Sequence, residues 1–234
     1  MSIIKTEHLS RYYQQGPVQV HALQDVNLTI EKGDFAVIAG SSGSGKTTLL
    51  NMIGALDKPS VGKVWLDGHE VTNLSRRQTS HLRRDRIGFV FQFYNLIPVL
   101  TAYENAEFVL LLQGVDPASR KKKVMDLLDK VGLEGLEKRR PHELSGGQQQ
   151  RVAIARALAS DPVVILADEP TANLDSHTEE GLMDLMENLN VEMGMTFLFS
   201  SHDPDVIKRA KRLIVLRDGE ILSDERISPR PNDQ

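Results

Sequence analysis

Short apolar runs without alternating polar residues recur along the chain and predict buried strands. They cover 35–39, 87–91, 163–167 and 195–199. Uninterrupted runs of this kind are typical of strands that are covered on both faces, as in a parallel sheet. Helical patterns follow the first run at 46–53 and precede the last one at 179–190. Because strands and crossover helices alternate, the pattern predicts an α/β fold with a mainly parallel sheet.

The pattern changes in the middle of the chain and near its end. Between 102 and 159, charged residues interleave with Leu and Val at helical spacing, which predicts a helical insert in the core. Asp-Gly turns divide the segment 64–71 and separate the strand patterns 213–216 and 220–222, which predicts two hairpins. The polar residues SPRPNDQ, at 228–234, are expected to be disordered.

Composition and charge narrow the class of protein. The 234 residues are enough for one large domain or for a core with a smaller lobe. The formal net charge of -4 provides no general basic field, so we expect no nucleic-acid partner. The chain has no cysteine, which excludes disulfides and thiolate metal sites. No apolar run approaches the roughly 20 residues that span a bilayer, so a role at a membrane would need spans from other chains.

A glycine-rich loop, GSSGSGKT, lies between a predicted buried strand and a predicted helix. It fits G-x-x-x-x-G-K-[ST], in which converging backbone N–H groups and the start of the next helix bind phosphate oxygens. Lys46 is expected to reach the β- and γ-phosphates, and the Thr47 hydroxyl to bind Mg²⁺. A flexible linker, the alternative, would not require this strand and helix. The predicted nucleotide contacts are Gly40, Ser41, Ser42, Gly43, Ser44, Gly45, Lys46, Thr47 and Thr48.

Two carboxylates, Asp168 and Glu169, end the apolar run VVILA. Ligands of open α/β sheets collect at the carboxyl ends of strands, so the pair is expected to face the phosphate loop. Asp168 is then the candidate Mg²⁺ partner, and Glu169 the candidate general base or orienter of water. His202 closes the next strand and is a candidate for contact with the γ-phosphate. The alternatives are an acidic turn for the carboxylates and a surface or packing role for the histidine.

A second candidate phosphate surface opens a helical pattern at LSGGQ. Ser145 followed by Gln148 is a capping box, so a well-capped helix start is the simpler interpretation, and both can hold. A helix start with a hydroxyl and two glycines is also open to an anion. One chain does not need two phosphate sites for one nucleotide. We therefore expect Ser145, Gly146, Gly147 and Gln148 to complete the site of a second copy, in a head-to-tail dimer.

These motifs resemble those of the ABC ATPase family, in the family's order and over nearly the whole chain. GSSGSGKT is similar to its Walker A motif, VVILADE to its Walker B motif with the catalytic Glu, and LSGGQ to its signature. The resemblance implies that the chain binds ATP and Mg²⁺ and hydrolyses the nucleotide. The metal contacts that it implies are Thr47, Gln92 and Asp168, and the catalytic residues are Lys46, Gln92, Glu169 and His202.

The resemblance extends to smaller motifs. Gln92 matches the Q-loop, and Asn173-Leu174-Asp175 matches the D-loop, which implies that Asp175 lies at a dimer interface. Tyr13 resembles the aromatic residue that stacks on adenine, with Tyr12 as the alternative. The chain departs from the family's usual residues at Ala172 and at Ser200-Ser201, which replaces an apolar-Thr pair; neither change removes a charged or phosphate-binding group.

The resemblance also implies the subdomains. A P-loop NTPase core with a mainly parallel sheet, together with an N-terminal antiparallel β subdomain, would occupy about 1–92 and 160–225. An inserted α-helical subdomain would occupy about 93–159, and a flexible tail 226–234. The apolar segment 93–103 would either line a groove for a membrane partner or belong to the core of the helical subdomain.

Finer similarity points to a subgroup. The segments IGALDKPSVGKVWLDG and LSGGQQQRVAIARAL are similar to lipoprotein-release, macrolide-export and cell-division ATPases. This implies an integral membrane permease as partner and a cytoplasmic location at the inner face of the cell membrane. Two other classes stay open here. One is a kinase or GTPase on the same loop, which would not need LSGGQ; the other is a soluble ATP-switch regulator.

Overall fold

The computed structural model describes residues 2–227. Within these residues, ten strands lie at Ser2–Gln15 (β1), Val18–Glu31 (β2), Phe35–Ala39 (β3), Val61–Leu66 (β4), His69–Glu70 (β5), Ile87–Phe91 (β6), Val164–Asp168 (β7), Phe197–Ser201 (β8), Arg212–Arg217 (β9) and Glu220–Arg226 (β10). Seven α-helices lie at Lys46–Ile53 (α1), Arg76–Arg86 (α2), Ala102–Leu112 (α3), Pro117–Lys130 (α4), Gly146–Ala159 (α5), Ser176–Met193 (α6) and Pro204–Lys208 (α7). A 3₁₀ turn, Pro141–Glu143, precedes α5.

The main sheet has six strands in the order β10-β9-β3-β8-β7-β6. Every pair in it is parallel except the β9–β10 hairpin at one edge. All five residues of β3 are buried, as are all five of β8. One face of these strands packs against helices of the insert and α6, and the other packs against α1 and the strands β1, β2 and β4. Phe35 packs edge-on against Phe197 and Phe199, with ring centroids 5.6 and 5.0 Å away. The predicted α/β core with a mainly parallel sheet is therefore confirmed.

The second sheet is antiparallel and has the order β2-β1-β4-β5. Its main element is the long hairpin of β1 and β2, whose registers run from Ser2 opposite Glu31 to Gln15 opposite Val18. The predicted Asp-Gly turn joins β4 to β5; Asp67 and Gly68 both have positive φ, at 49° and 77°, as a type I′ hairpin turn requires. This sheet is the predicted N-terminal antiparallel β subdomain.

The helical insert consists of α3, α4 and α5, which share one apolar core with the adjacent face of the main sheet. Asn105 of α3 is fully buried and ties the loop after β6 to this insert. Its side-chain oxygen accepts the Ile97 N–H at 2.8 Å, while its amide donates to the carbonyls of Ile97, Leu100 and Thr101 at 3.0–3.1 Å. The chain segment that follows Gln92 is therefore fixed to the helices rather than to the sheet.

Some elements differ from the sequence expectation. The sequence pattern did not predict α2, because its residues RRQTSHLRRDR include one apolar side chain and none of them is buried. The two strands predicted at 163–167 and 195–199 begin later, at Val164 and Phe197. Residues 195 and 196 are held by side chains as well as by the backbone: Asn190 donates to the Met195 carbonyl at 2.7 Å, and the Thr196 hydroxyl accepts the Gly33 N–H at 3.0 Å. The Thr196 carbonyl also accepts the Ile165 N–H at 2.8 Å. The predicted disordered segment 228–234 lies outside the described residues.

None of the helices in the range 2–227 combines the length and apolarity that a transmembrane span requires.

Candidate functional site

The phosphate loop, the acidic strand end and the histidine meet at the carboxyl edge of the main sheet. The loop follows β3, Gln92 follows β6, Glu169 follows β7 and His202 follows β8. They surround a cavity of about 370 Å³. The predicted residues that line it are Ser42, Gly43, Gly45, Lys46, Thr47, Thr48, Gln92, Glu169 and His202. Parallel strands carry groups that are distant in sequence to one edge of the sheet, as expected for an open α/β fold.

The backbone of the phosphate loop requires glycine at Gly45, the N-cap of α1. Its φ is 105°, and a Cβ there would lie 2.5 Å from the Ala22 carbonyl oxygen. No side chain among residues 2–227 caps α1, so its first N–H groups are available to an anion. The Ser44 hydroxyl is buried and has no hydrogen-bond partner among the described residues. Both observations fit the binding of phosphate oxygens at this loop.

Lys46 is only 6% exposed and is already held in the loop. Its ammonium donates to the carbonyl oxygens of Gly40 at 2.8 Å and Ser41 at 3.2 Å. It also lies 3.4 Å from a carboxylate oxygen of Glu169. A buried ammonium needs such acceptors, and a phosphate oxygen is a further acceptor for the same group.

Thr47 lines the cavity, whereas Asp168 is not among the lining residues and lies next to Thr47. The Thr47 hydroxyl donates to Asp168 Oδ1 at 3.1 Å. No group of three or more His, Cys, Asp or Glu that could hold a metal occurs among residues 2–227. A hydroxyl and one carboxylate fit Mg²⁺, which prefers oxygen ligands and is usually held by few protein groups together with water and phosphate. Gln92 lines the same cavity.

Glu169 and His202 form a polar pair that lines the cavity. The Glu169 side chain is 15% exposed, whereas that of His202 is 64% exposed. His202 Nδ1 lies 2.8 Å from Glu169 Oε2, and the other carboxylate oxygen faces Lys46. The carboxylate is thus oriented from both sides, as expected of a group that must accept a proton in a fixed position.

Ser145 to Gln148 lies outside this cavity. The predicted capping box is present, since the Ser145 hydroxyl accepts the Gln148 N–H at 3.3 Å and the Gln148 side chain accepts the Ser145 N–H at 2.9 Å. A Cβ on Gly147 would lie 2.2 Å from the Thr178 methyl, so this glycine also permits close packing within the chain. Ser145 itself is exposed and is not among the residues that line the cavity.

The two tyrosines at the end of β1 have different surroundings, and neither lines the cavity. The Tyr13 hydroxyl donates to Asp57 at 3.0 Å, and the Arg11 guanidinium lies 4.5 Å from the ring centroid of Tyr13. Arg11 also pairs with Asp57 at 2.8 Å. The Tyr12 ring packs instead on His21, with centroids 4.6 Å apart.

A protein-family model described as ABC transporter matches residues 23–172. This segment includes the phosphate loop, the helix α5 that begins at the LSGGQ signature, and the acidic end of β7. The chain belongs to the ABC transporter family. The resemblance found in the sequence is thereby confirmed, together with the assignment to the class of ABC ATPases.

Other ABC transporter proteins match over almost all of the chain. The ABC transporter ATP-binding protein MJ0796 of Methanocaldococcus jannaschii is 45% identical over 96% of this chain and 97% of its own length. A solved dimeric structure of that cassette, in a post-hydrolysis state with ADP and Pi, has a TM-score of 0.90, with 44% identity over 97% of this chain and 100% of that one. The macrolide export ATP-binding/permease protein MacB of Mannheimia succiniciproducens is 45% identical over 99% of this chain. The chain spans 36% of that longer relative.

The structure also shows residues in this ABC cassette that the sequence did not single out. Gln150 of α5 is fully buried and donates to the Pro170 carbonyl at 2.6 Å. Arg156 of the same helix donates to the carbonyls of Tyr94 and Asn95, and burial lowers its pKa. Asn173, which the sequence did identify as part of the D-loop, donates to the Gln92 carbonyl at 2.8 Å. Gln150 and Arg156 thereby join helix α5 to the loops that follow β6 and β7. In the sequence, only the polar character of these two helix positions could have indicated such bonds.

The D-loop residue Asp175 caps α6. Its carboxylate accepts hydrogen bonds from the Thr178 hydroxyl at 2.7 Å and the Thr178 N–H at 3.0 Å. The bonds from Thr178, first through its side chain and then through its backbone, lower the pKa of Asp175, so this carboxylate is ionised at neutral pH.

Proposed function

We propose that this chain is the ATP-binding and hydrolysing subunit of an ABC transporter or mechanotransmission complex. The observation that carries the proposal is the convergence of Lys46, Glu169 and His202 on one cavity at the carboxyl edge of the sheet. Asp168 is joined to this cavity through its hydrogen bond with Thr47. Such a cavity suits phosphoryl transfer to water, in which positioning and electrostatic stabilisation provide most of the acceleration.

Each group has a distinct role in this proposal. The amides of the phosphate loop and Lys46 bind the β- and γ-phosphates. Bound Mg²⁺, held by Thr47, Asp168 and Gln92, would supply positive charge that offsets the charge of the phosphates. Glu169 accepts the proton of the attacking water, and its bond to His202 keeps the accepting oxygen in place. His202 is exposed enough to contact the γ-phosphate as well.

The site is completed by a second copy of the chain. Ser145 is exposed at the start of a 14-residue helix, and it lies outside the cavity of its own chain. In a two-fold dimer, Ser145, Gly146, Gly147 and Gln148 of one copy would contact the γ-phosphate bound by the other, and Asp175 would lie at the interface. The dimeric state of the MJ0796 cassette supports this arrangement.

Tyr13 is the proposed adenine platform, with Tyr12 as the alternative. Stacking of a base on an aromatic ring contributes about 1–3 kcal/mol. We expect Tyr13→Ala to weaken ATP binding roughly 5- to 150-fold and to leave the binding of inorganic triphosphate unchanged. Tyr12→Ala serves as the matched control, and calorimetry measures both ligands. A selective loss of ATP affinity in the Tyr12 variant would assign the platform to Tyr12 instead.

The proposed partner is an integral membrane permease, which would place the chain in the cytoplasm at the inner face of the cell membrane. An apolar groove of about 310 Å³ runs beside β6, and its lining includes Leu56, Phe89, Phe91, Phe108 and Leu112. In the segment 93–103, Phe93 and Val99 are exposed by 72% and 71%, whereas Leu96 and Tyr103 pack against the core. We propose that the exposed residues of this segment face the partner, while the packed ones belong to the core of the helical subdomain. A permease of the macrolide-export or lipoprotein-release type would bind at this face of the chain.

Replacing Phe93 tests this partner and the alternative of a soluble regulator. We expect Phe93→Asp to abolish co-purification with a multi-span membrane protein, because a carboxylate in an apolar contact must be desolvated. Val191→Asp, at an equally exposed position on α6, is the matched control and should retain the partner. Both variants should bind ATP as the wild type does. A wild-type chain that never co-purifies with a membrane protein would favour the soluble regulator.

We also propose that the helical subdomain, about 93–159, moves as a unit against the core and β subdomain, about 1–92 and 160–225. Gln92 stands at the junction, within the cavity and one residue before the exposed Phe93. A change at the γ-phosphate would thereby reach the groove through a single loop.

A further inference from the structure

Ser200 is a buried serine beside the catalytic edge, and the roles above do not involve it. It lies in β8, is fully buried, and is the register partner of Asp168 in the adjacent parallel strand β7. A hydroxyl in such a position must find partners for both its proton and its lone pairs. Both partners belong to the pair of carboxylate residues at the end of β7.

The hydroxyl proton of Ser200 is directed to Asp168. Ser200 donates to Asp168 Oδ1 at 2.7 Å, and Thr47 donates to the same oxygen at 3.1 Å. No hydrogen bond from the described residues reaches the other oxygen, Oδ2. Two donors on one oxygen fix the rotation of the carboxylate and leave Oδ2 available to a cation or to its water.

The lone pairs of Ser200 are directed to the backbone of Glu169. The Glu169 N–H donates to the Ser200 hydroxyl at 2.9 Å. Glu169 has a φ of 47°, in the left-handed region that residues with a side chain seldom adopt. Such a conformation is strained and persists where surrounding contacts hold it. The serine bond is one of these contacts, and it ends at the residue whose carboxylate faces Lys46 and His202.

We propose that Ser200 is a positioning residue that fixes, through one hydroxyl, both the metal-facing carboxylate of Asp168 and the strained backbone of Glu169. The proposal rests on the function proposed above. An alanine or valine at this position would leave the Glu169 N–H unpaired in the interior and Asp168 free to rotate. A threonine would retain the hydroxyl and, being β-branched, suits a strand.

The first test needs neither nucleotide nor metal. In the nucleotide-free protein, Ser200→Ala should accelerate hydrogen exchange of the Glu169 amide roughly 5- to 150-fold, the range that corresponds to a lost buried hydrogen bond. Ser200→Thr should restore slow exchange. Ser201→Ala is the matched control, because Ser201 is also buried in β8 but accepts the Asp203 N–H and contacts neither carboxylate.

The second test addresses the metal-facing side. With ATP present, Ser200→Ala should raise the Mn²⁺ concentration needed for half-saturation, read from the paramagnetic signal of the bound ion, and should lower kcat more than it raises the KM for ATP. Ser200→Thr should reverse both changes. Should alanine prevent folding, Ser200→Cys keeps the volume but forms only weak hydrogen bonds, and it should show the same changes.

The proposal is overturned if a folded Ser200→Ala protein shows wild-type exchange at Glu169 and wild-type Mn²⁺ half-saturation. A wild-type chain that fails to hydrolyse ATP would contradict the proposed function instead, and the exchange measurement on the nucleotide-free protein distinguishes the two failures.

Discussion

Replacing Glu169 with glutamine is expected to slow ATP hydrolysis about 10²- to 10⁴-fold, the effect of losing a positioned general base. Glutamine has nearly the same shape, and its amide oxygen can still face the Lys46 ammonium as the carboxylate oxygen does. It cannot take a proton from water at neutral pH. The phosphate loop is untouched by the change, so ATP binding should be retained and the closed dimer should accumulate.

Two measurements check this result. Phosphate release reports turnover, and size-exclusion chromatography with light scattering reports whether ATP converts the variant to a dimer. Glu192→Gln, at an exposed position on α6, is the control for removal of one negative charge. Turnover near the wild-type rate in Glu169→Gln would remove Glu169 from its proposed role, and a variant that binds ATP but stays monomeric would contradict the closed dimer.

Dimers that combine two different variants of the chain should show an equally large effect on the amount of trapped nucleotide. The effect should depend only on whether two substitutions lie on the same copy or on separate copies. Lys46→Ala removes the buried ammonium from the phosphate site, and Ser145→Arg blocks the exposed signature surface. If each site combines the Lys46 of one copy with the Ser145 of the other, placing the changes on separate copies leaves one site intact. Placing both on the same copy, opposite an unchanged one, damages both sites.

The readout is nucleotide trapped per dimer, measured in the Glu169→Gln background so that closure does not depend on turnover. Two affinity tags isolate each mixed dimer. We expect about one trapped ATP when the changes are on separate copies and about none when they share a copy. The opposite order would mean that each chain completes its own site, and equal values would mean that the Ser145 surface does not bind nucleotide. Either outcome contradicts the composite site.

The local parts of the site were predictable from the sequence, because short segments determine them. The strand Phe35–Ala39 and the helix Lys46–Ile53 have the predicted bounds, since an apolar run, a glycine loop and a helical pattern follow one another without a break. The Asp67-Gly68 hairpin is equally local. The family and the class of protein followed from the order of such segments along the chain.

The parts that could not be predicted depend on neighbours that are distant in sequence. The bonds of Ser200 to Asp168 and Glu169 exist only because β7 and β8 are adjacent in the sheet. The side-chain contacts of Tyr13 likewise depend on Asp57, which lies 44 residues further along. Helix α2 lacks an apolar face, so periodicity could not indicate it, although Ser75 and Gln78 form a capping box at its start.

Helix α5 is hydrogen-bonded to the loops after β6 and β7, and the loop after β7 is hydrogen-bonded to the loop after β6. These bonds share one property: they end on backbone carbonyl oxygens. Arg156, Gln150 and Asn173 bind the main chain of residues 91–95 and 170, and they do not bind the side chains there. Substitutions in the loop after β6 therefore leave these hydrogen bonds in place, provided that the backbone conformation of the loop does not change. If the proposed membrane partner binds at this loop, its side chains can change to fit that partner while the hydrogen bonds behind them stay the same.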